Sequence, residues 1–332
     1  MANETTASTL SAMARTEVIA LEAIKAHLPK MVFSSKFHKD SISGLNTDRK
    51  RYWKHGDLGA ASAGTEGTAL SSNVALSLGT SITPVPTEGV AILSQVTENA
   101  ASIALGVPFE QVQRMFVDAD SSALVGMLEP IIHEHIPMGM QRMEGDALAL
   151  LTNLSTSVGA TTVDCSIANL LAAQYQYRVN QALRPISEAE YVLCENQANE
   201  VNVEALSTSG GVGGSIWMNQ ANYNMANSTN DMGAGYIGTF LGYKVSTYDL
   251  ELKVLANGTD DVLGCFGALG GPLPPDRMGG RPGAFVYLEK APLMTRVHAN
   301  LTLRAVDVVT TAHYIMAELV DLNAVKILTD AP

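Results

Sequence analysis

The sequence predicts an α+β protein, in which a long helix and extended strands occupy separate stretches of the chain. Residues 118–154 carry apolar side chains three and four positions apart, which is the pattern of an amphipathic helix. Residues 296–303 alternate between polar and apolar side chains, which is typical of a strand with one buried face. Residues 34–88 are rich in glycine, serine and threonine. They predict a long hairpin that has no core of its own.

The composition limits the class of protein. The chain has 332 residues, of which 46% are hydrophobic and 16% are charged, so it can bury a large core and wholesale disorder is excluded. The low charge also predicts subunit contacts, because interface cores are depleted in charged residues. No run approaches the roughly 18 apolar residues that a membrane span needs. The three cysteines lie far apart, which argues against a disulfide framework and favours a reducing compartment.

Charge is distributed unevenly along the chain. Residues 1–54 hold nine lysines and arginines against five acidic residues, whereas residues 55–332 hold 12 basic and 28 acidic residues. A basic arm on an acidic body can bind a polyanion, or it can bind the acidic body of a second copy. An ordinary solvated arm is the third possibility that the sequence leaves open.

The first half of the chain predicts an arm, a hairpin, a strand and a long helix, in that order. An amphipathic helix covers residues 8–28 and ends at a proline. The hairpin leads into a strand at residues 88–95. Pro130 and Pro137 fall inside the long helix, so we expect a kink or break there. The expected apolar face of this helix consists of Leu124, Leu128, Ile131, His135 and Met138.

The second half predicts a mixture of helices and strands. A helix begins after Asp164, and a second helix follows a buried-looking strand at residues 191–194. Glycine-rich loops at residues 207–215 and 270–283 are expected at the tips of the molecule. The apolar residues of the first helix are Ile167, Leu171, Tyr175 and Val179, and further strands are expected at residues 236–248, 285–288, 297–303 and 325–327.

Three motifs that suggest ligand binding have simpler explanations. The spacing of Gly233, Gly235 and Gly238 matches a dinucleotide fingerprint, but a polar segment precedes it and a strand pattern follows, so a glycine-rich turn explains it better. His133 and His135 point in different directions on a helix, unlike the histidine pair of a zinc site. The cysteines lack metal-ligand spacing. We therefore expect no enzyme, no metal site and no cofactor.

The densest chemical feature is a run of basic and aromatic residues. Its cations and rings suit nucleic-acid binding, and the same residue types dominate subunit interfaces. Because every copy carries an acidic body, we favour an inter-subunit contact in which the cations steer association and the aromatic rings are buried. The candidate contact residues are Arg49, Lys50, Arg51, Tyr52, Trp53 and Lys54.

Several segments together resemble those of one known family. They are Thr65–Thr68, Ser81–Pro84, Gly89–Ile92, Gly145–Leu151, Gly235–Val245, Val308–Tyr314 and Val325–Asp330. In this order they are similar to parts of the extended loop, the spine helix, the axial domain and the peripheral domain of tailed-bacteriophage major capsid proteins. The resemblance covers most of the chain and implies the Hong Kong 97-like capsid fold.

The resemblance implies a division of the chain into five segments. They are an N-terminal arm (1–34), an extended loop (35–86), a first peripheral-domain segment with the spine helix (87–160), an inserted axial domain (161–290) and a peripheral-domain return (291–332). Some members of the family begin with a built-in scaffolding segment. We expect none here, because the helical pattern starts at about the eighth residue.

The function implied by the resemblance is structural. Copies of the chain would assemble into pentamers and hexamers of an icosahedral shell around packaged double-stranded DNA, in a virion built in the host cytoplasm. The implied partners are further copies of the chain, a portal protein, a separate scaffolding protein, DNA contacted without sequence specificity and, in some members, a decoration protein; no membrane is involved. An encapsulin compartment of the same fold and a soluble oligomeric enzyme are the alternatives.

Overall fold

The computed structural model describes residues 31–43, 47–53, 81–106, 108, 110–111, 122–161, 163–180, 189–208, 235–248, 255–256, 261–270, 283–300 and 302–330. Several expectations lie outside these residues. They are the helix of the N-terminal arm, most of the extended loop, Lys54 and most of the two glycine-rich loops. No described helix is long and apolar enough to cross a membrane.

The described chain combines helices and strands, as the sequence predicts. The helices are α1 (Glu98–Leu105), α2 (Ser122–Ala149), α3 (Ile167–Asn180) and α4 (Glu195–Thr208). The strands are β1 (His38–Ser41), β2 (Tyr52–Trp53), β3 (Ser81–Ile82), β4 (Thr87–Thr97), β5 (Ser157–Gly159), β6 (Glu190–Cys194), β7 (Tyr236–Phe240), β8 (Tyr243–Tyr248), β9 (Leu255–Ala256), β10 (Asp261–Gly267), β11 (Phe285–Asn300), β12 (Ala305–Glu318) and β13 (Ala324–Asp330).

The strands form two main sheets and a short ribbon. The first sheet has the order β1-β11-β12-β4, and the second has the order β5-β13-β10-β6-β8-β7 with β9 also paired to β10. The ribbon consists of β2 and β3. The last strand, β13, lies in the segment that we assign to the peripheral-domain return, yet it pairs with β10 and β5 in the second sheet. The five-segment division itself stays a prediction.

Helix α2 packs against the first sheet along one buried face. It continues through both Pro130 and Pro137 without a break, and the alternative expectation of a kink stays a prediction. The buried side chains recur every three or four residues, and their packing maintains the helix where the prolines remove hydrogen bonds. Met138 is 52% exposed instead of buried. The residues that form the buried face are Leu128, Ile132, His135, Ile136, Met140, Met143, Glu144, Ala147 and Leu148.

Helices α3 and α4 cover one face of the second sheet. Leu170 and Tyr177 of α3 join Val201 of α4 in a core with the sheet. The helix predicted after Asp164 is therefore present, but most of its predicted apolar residues lie on the other side. Leu171, Tyr175 and Val179 are 44%, 70% and 51% exposed.

A short segment at the start of the described chain connects α2 with both sheets. The carboxylate of Glu144 accepts hydrogen bonds from the backbone N–H groups of Phe33 and Ser34, at 2.5 and 3.0 Å, and from the Ser34 hydroxyl at 2.5 Å. Burial raises the pKa of Glu144, although these hydrogen bonds oppose the shift. The Lys36 ammonium pairs with Glu190 of the second sheet at 2.7 Å. The segment then enters the first sheet as β1.

The imidazole of His135 connects α2 to three strands of the first sheet. Its Nε2 lies 2.6 Å from the Ser94 hydroxyl of β4, and its Nδ1 lies 3.1 Å from the Thr310 hydroxyl of β12. Thr310 in turn hydrogen-bonds the Thr295 hydroxyl of β11 at 2.7 Å. Burial lowers the pKa of His135, although the negative charge of Glu134 acts to raise it. The folded protein therefore favours the neutral ring.

We expect the contribution of His135 to stability to decrease in acid. Because its folded pKa lies below the unfolded value of about 6.5, the contribution is complete above that pH and is lost as the pH falls through the folded pKa. At pH 7.5, His135→Ala should lower the free energy of unfolding by about 1–3 kcal/mol. Urea unfolding at pH 7.5 and pH 5 should show a smaller difference from the parent chain at the lower pH. The control is His133→Ala, an exposed histidine of the same helix; an unchanged difference would contradict this interpretation.

Candidate assembly interface

The basic and aromatic run lies beside β1, where the chain leaves the first sheet. Strand β1 pairs in parallel with the start of β11, and the N–H of Ile42 then donates to the carbonyl of Glu289. After this contact the chain turns and returns as β2, which pairs with β3. The base of the predicted extended loop is therefore held against one edge of the first sheet.

Asp40 of β1 is the polar centre of this loop base. Its Oδ2 accepts hydrogen bonds from the Lys50 ammonium and, at 2.9 Å, from the Tyr52 hydroxyl. Its Oδ1 accepts the N–H of Ser41 at 2.9 Å. Burial alone would raise the pKa of Asp40, but the hydrogen bonds from Lys50 and Tyr52 and the charge of Lys50 together lower it. The carboxylate therefore stays ionised and holds both residues. We call Asp40, Lys50 and Tyr52 the loop clasp.

The ring of Tyr52 is the apolar part of the clasp. It is 5% exposed and packs with Val286, Leu319 and Val320, which are all buried. Burial, followed by the hydrogen bond to Asp40 and its charge, raises the pKa of Tyr52 far above its usual value, so the hydroxyl remains a donor. A second ion pair, between Lys290 of β11 and the exposed Asp48, connects the same loop base to the sheet.

The structure changes the interpretation of part of the predicted contact. Lys50 and Tyr52 make contacts within their own chain, because both donate to Asp40 and the ring of Tyr52 packs against the sheet. Trp53 pairs with Ser81 in the ribbon. Arg49 and Arg51 are exposed. The predicted inter-subunit contact of this run stays a prediction, and Arg49 and Arg51 are its described residues whose exposure suits such a contact.

Asp40 and Lys290 belong to this site, and the sequence reasoning missed both. Asp40 has a weak local signal, since it stands in an alternating segment ten residues before Lys50. Lys290 has none, because its partner Asp48 is 242 positions away and only the pairing of β1 with β11 brings them together.

The described residues contain no grouping of three His, Cys, Asp or Glu side chains that could hold a metal ion. The glycine spacing near Gly235 lies at a turn, where Gly235 has a φ of 67° and begins the approach to β7. A strand follows this turn, so the dinucleotide interpretation lacks the helix that it needs.

Similar proteins were found by comparison of structures and not by comparison of sequences. No family model matches the sequence, and no curated protein matches it either. Among solved structures, the mature capsid of bacteriophage PhiM1 matches with a TM-score of 0.53 and 11% identity over 90% of this chain and 86% of that one. The capsid of a native GTA particle matches with a TM-score of 0.53 and 14% identity over 91% of each chain. This chain has the Hong Kong 97-like capsid fold.

The capsid of cyanophage P-SCSP1u supports the same assignment. It has a TM-score of 0.50 and 12% identity over 90% of this chain and 87% of that chain. The predicted resemblance is thereby confirmed for the fold. In this structure the clasp holds Lys50 and the start of β2 against the first sheet.

We expect loss of the clasp to expose the loop base to protease. Asp40→Asn removes the charge that holds Lys50 and weakens the acceptor of the Tyr52 hydroxyl, so the backbone at residues 49–51 should open more often. Trypsin should cleave the variant after Arg49, Lys50 or Arg51 at least about threefold faster than the parent. The rate should rise because trypsin cleaves this backbone only while it is open, and the variant opens more often.

The matched control for this measurement is Asp164→Asn, which changes an equally charged but exposed residue away from the loop. Cleavage sites are read by mass spectrometry of the early fragments. Equal cleavage rates in Asp40→Asn and the parent would mean that the clasp does not hold the loop base.

Proposed function

We propose that this chain is the structural subunit of an icosahedral shell, in which copies assemble into pentamers and hexamers around packaged double-stranded DNA. The observation that carries this proposal is the fold likeness to the PhiM1 capsid, which extends over 90% of the chain. A shared fold does not by itself determine function, so the surface of the subunit must supply the rest of the argument.

The surface favours assembly. Only 16% of the residues are charged, and large apolar side chains stand exposed on α1, α3, α4 and β4. A subunit that remained alone would keep these side chains in water, whereas contacts between copies would bury them. The most exposed of them are Ile103 (77%), Tyr175 (70%), Val203 (65%) and Leu93 (64%).

The proposal also names the partners of the shell and the compartment in which it assembles. We propose a virion shell assembled in the host cytoplasm, with a portal protein and a separate scaffolding protein as partners and a decoration protein as a further one. Residues 55–332 are strongly acidic, so repulsion from phosphate limits DNA contact to the basic N-terminal segment. Such contact is electrostatic and independent of sequence.

Electron microscopy of the purified protein tests this function. Shells that contain DNA when isolated from the native source would support the capsid. Small, uniform shells filled with protein would instead support an encapsulin-type compartment, and particles of a few subunits would support a soluble oligomeric enzyme. The ratio of absorbance at 260 and 280 nm distinguishes the first two outcomes.

We expect reversal of the exposed arginines to impair assembly without unfolding the subunit. In the double variant Arg49→Glu with Arg51→Glu, the loop would repel the acidic body of a second copy, while Lys50 stays to complete the clasp. The yield of particles should fall at least about tenfold, since rim charges steer association and fix its register. Sedimentation measures the yield, and circular dichroism verifies the fold.

The control for charge alone is the pair Arg296→Glu with Arg304→Glu, two exposed arginines on β11 and in the turn that follows it. Normal yields in the Arg49 and Arg51 variant would show that this run does not act between subunits. An unfolded variant would show that the two arginines stabilise their own chain.

A further inference from the structure

The outer edge of β4 is an unusual surface for a protein in solution. β4 is 11 residues long and pairs only with β12, so its other edge carries backbone N–H and C=O groups that no strand of the described chain meets. The ladder with β12 is regular from Val90 to Thr97, and a bulge at Gly89 interrupts it on the N-terminal side. Eight residues therefore present an extended, regular edge.

This edge lacks the features by which proteins prevent strands from pairing with other chains. Such features are charged side chains, above all lysine, as well as proline and bulges within the strand. Residues 90–97 contain no charged residue and no proline. Leu93 lies at the middle of this stretch and is 64% exposed. An uncharged, regular edge of this length, which no strand of the described chain pairs, is a site for the addition of another strand.

The alternation of side chains restricts how such an edge can meet a copy of itself. Val90, Ile92, Ser94 and Val96 face α2, and Ser94 contacts His135 there, whereas Ala91, Leu93 and Gln95 face outward. In an antiparallel pair across a twofold axis, the two faces match only when the axis passes beside a residue. An axis beside Leu93 pairs residues 90–96 and an axis beside Ser94 pairs residues 91–97, so both keep the bulge out of the overlap. The axis beside Leu93 is favoured, because it brings the two exposed Leu93 side chains together.

We propose that β4 pairs with β4 of a second copy, antiparallel about a twofold axis beside Leu93, which joins the two four-stranded sheets into one sheet of eight strands. This proposal rests on the proposed function, because it names the surface by which neighbouring subunits of the shell are joined. In this register Leu93 meets Leu93 of the partner subunit, and Ala91 faces the partner's Gln95. No charge opposes another, since the stretch carries none. The contact is isologous and closes on itself.

Disulfide trapping in assembled particles tests the register directly. Opposed residues of an antiparallel pair have Cα atoms about 4.5–5.5 Å apart, which lies within the range of a disulfide. Under mild oxidation, Leu93→Cys should convert most of the protein to a covalent dimer on a non-reducing gel. The native cysteines should not interfere, because all three are buried and burial raises their pKa, to about 12 for Cys165.

Two controls make the result specific. Leu241→Cys is almost as exposed as Leu93, at 63%, but lies in the turn between β7 and β8 of the second sheet, and it should stay monomeric. Ala91→Cys alone should also stay monomeric, whereas Ala91→Cys with Gln95→Cys should give dimers, because the proposed register pairs these two positions. A dimer from Ala91→Cys alone, or none from Leu93→Cys, would overturn the proposed register.

A charge at the same position tests the contribution of the edge to assembly. Leu93→Lys should lower the particle yield at least about tenfold, whereas Leu241→Lys, at an equally exposed leucine, should lower it less. Normal particles from Leu93→Lys together with no crosslink from Leu93→Cys would overturn the pairing and leave the proposed function intact. If the parent chain forms no particles, the same crosslink is measured on the chain in solution. Dimers there would support the pairing without the shell, and monomers would contradict both proposals.

Discussion

Glu144 lies on the buried face of α2, and its carboxylate binds a segment that contacts both sheets. Without it, the N–H groups of Phe33 and Ser34 would be buried without acceptors, at a cost of about 1–3 kcal/mol each. The ring of Phe33 packs edge-on against Phe37 and Phe285, with centroids 4.9 and 5.5 Å away. The carboxylate and the three rings therefore fix where β1 enters the first sheet. The loop clasp depends on that position, because Asp40 belongs to β1.

The described chain is well packed inside, whereas several of its outer surfaces are exposed. One core joins α2, the first sheet and the inner face of the second sheet, and a second core lies beneath α3 and α4. By contrast, three exposed surfaces suit contacts with other copies of the chain. They are the outer edge of β4, the outer face of α3 and the arginines of the loop base. Structural proteins that act by assembly need this combination, because a rigid subunit loses less conformational entropy when it binds.

Local pattern was sufficient to predict β4 and α2, but not β1 and β12 or the contacts among these elements. The alternation near residues 88–95 predicted β4, and the helical spacing predicted α2, whose prolines are tolerated because packing against the sheet compensates for lost hydrogen bonds. The buried role of Tyr52 could not be predicted, since its pocket comes from β11 and the end of β12. The apolar spacing of α3 identified the helix but indicated the wrong side. This error arises because interfaces and cores use the same residue types, so an apolar pattern does not tell which side of a helix faces the core.

Hydrogen exchange tests the central claim most directly, because it measures whether assembly covers the surfaces that the subunit leaves open. The amides of β4 and of residues 47–53 should be followed in the purified subunit and in assembled particles. The account predicts that alternate amides of residues 90–97 become protected on assembly, since only those that face the free edge gain partners. Equal exchange of β4 in the subunit and in the particle would contradict it.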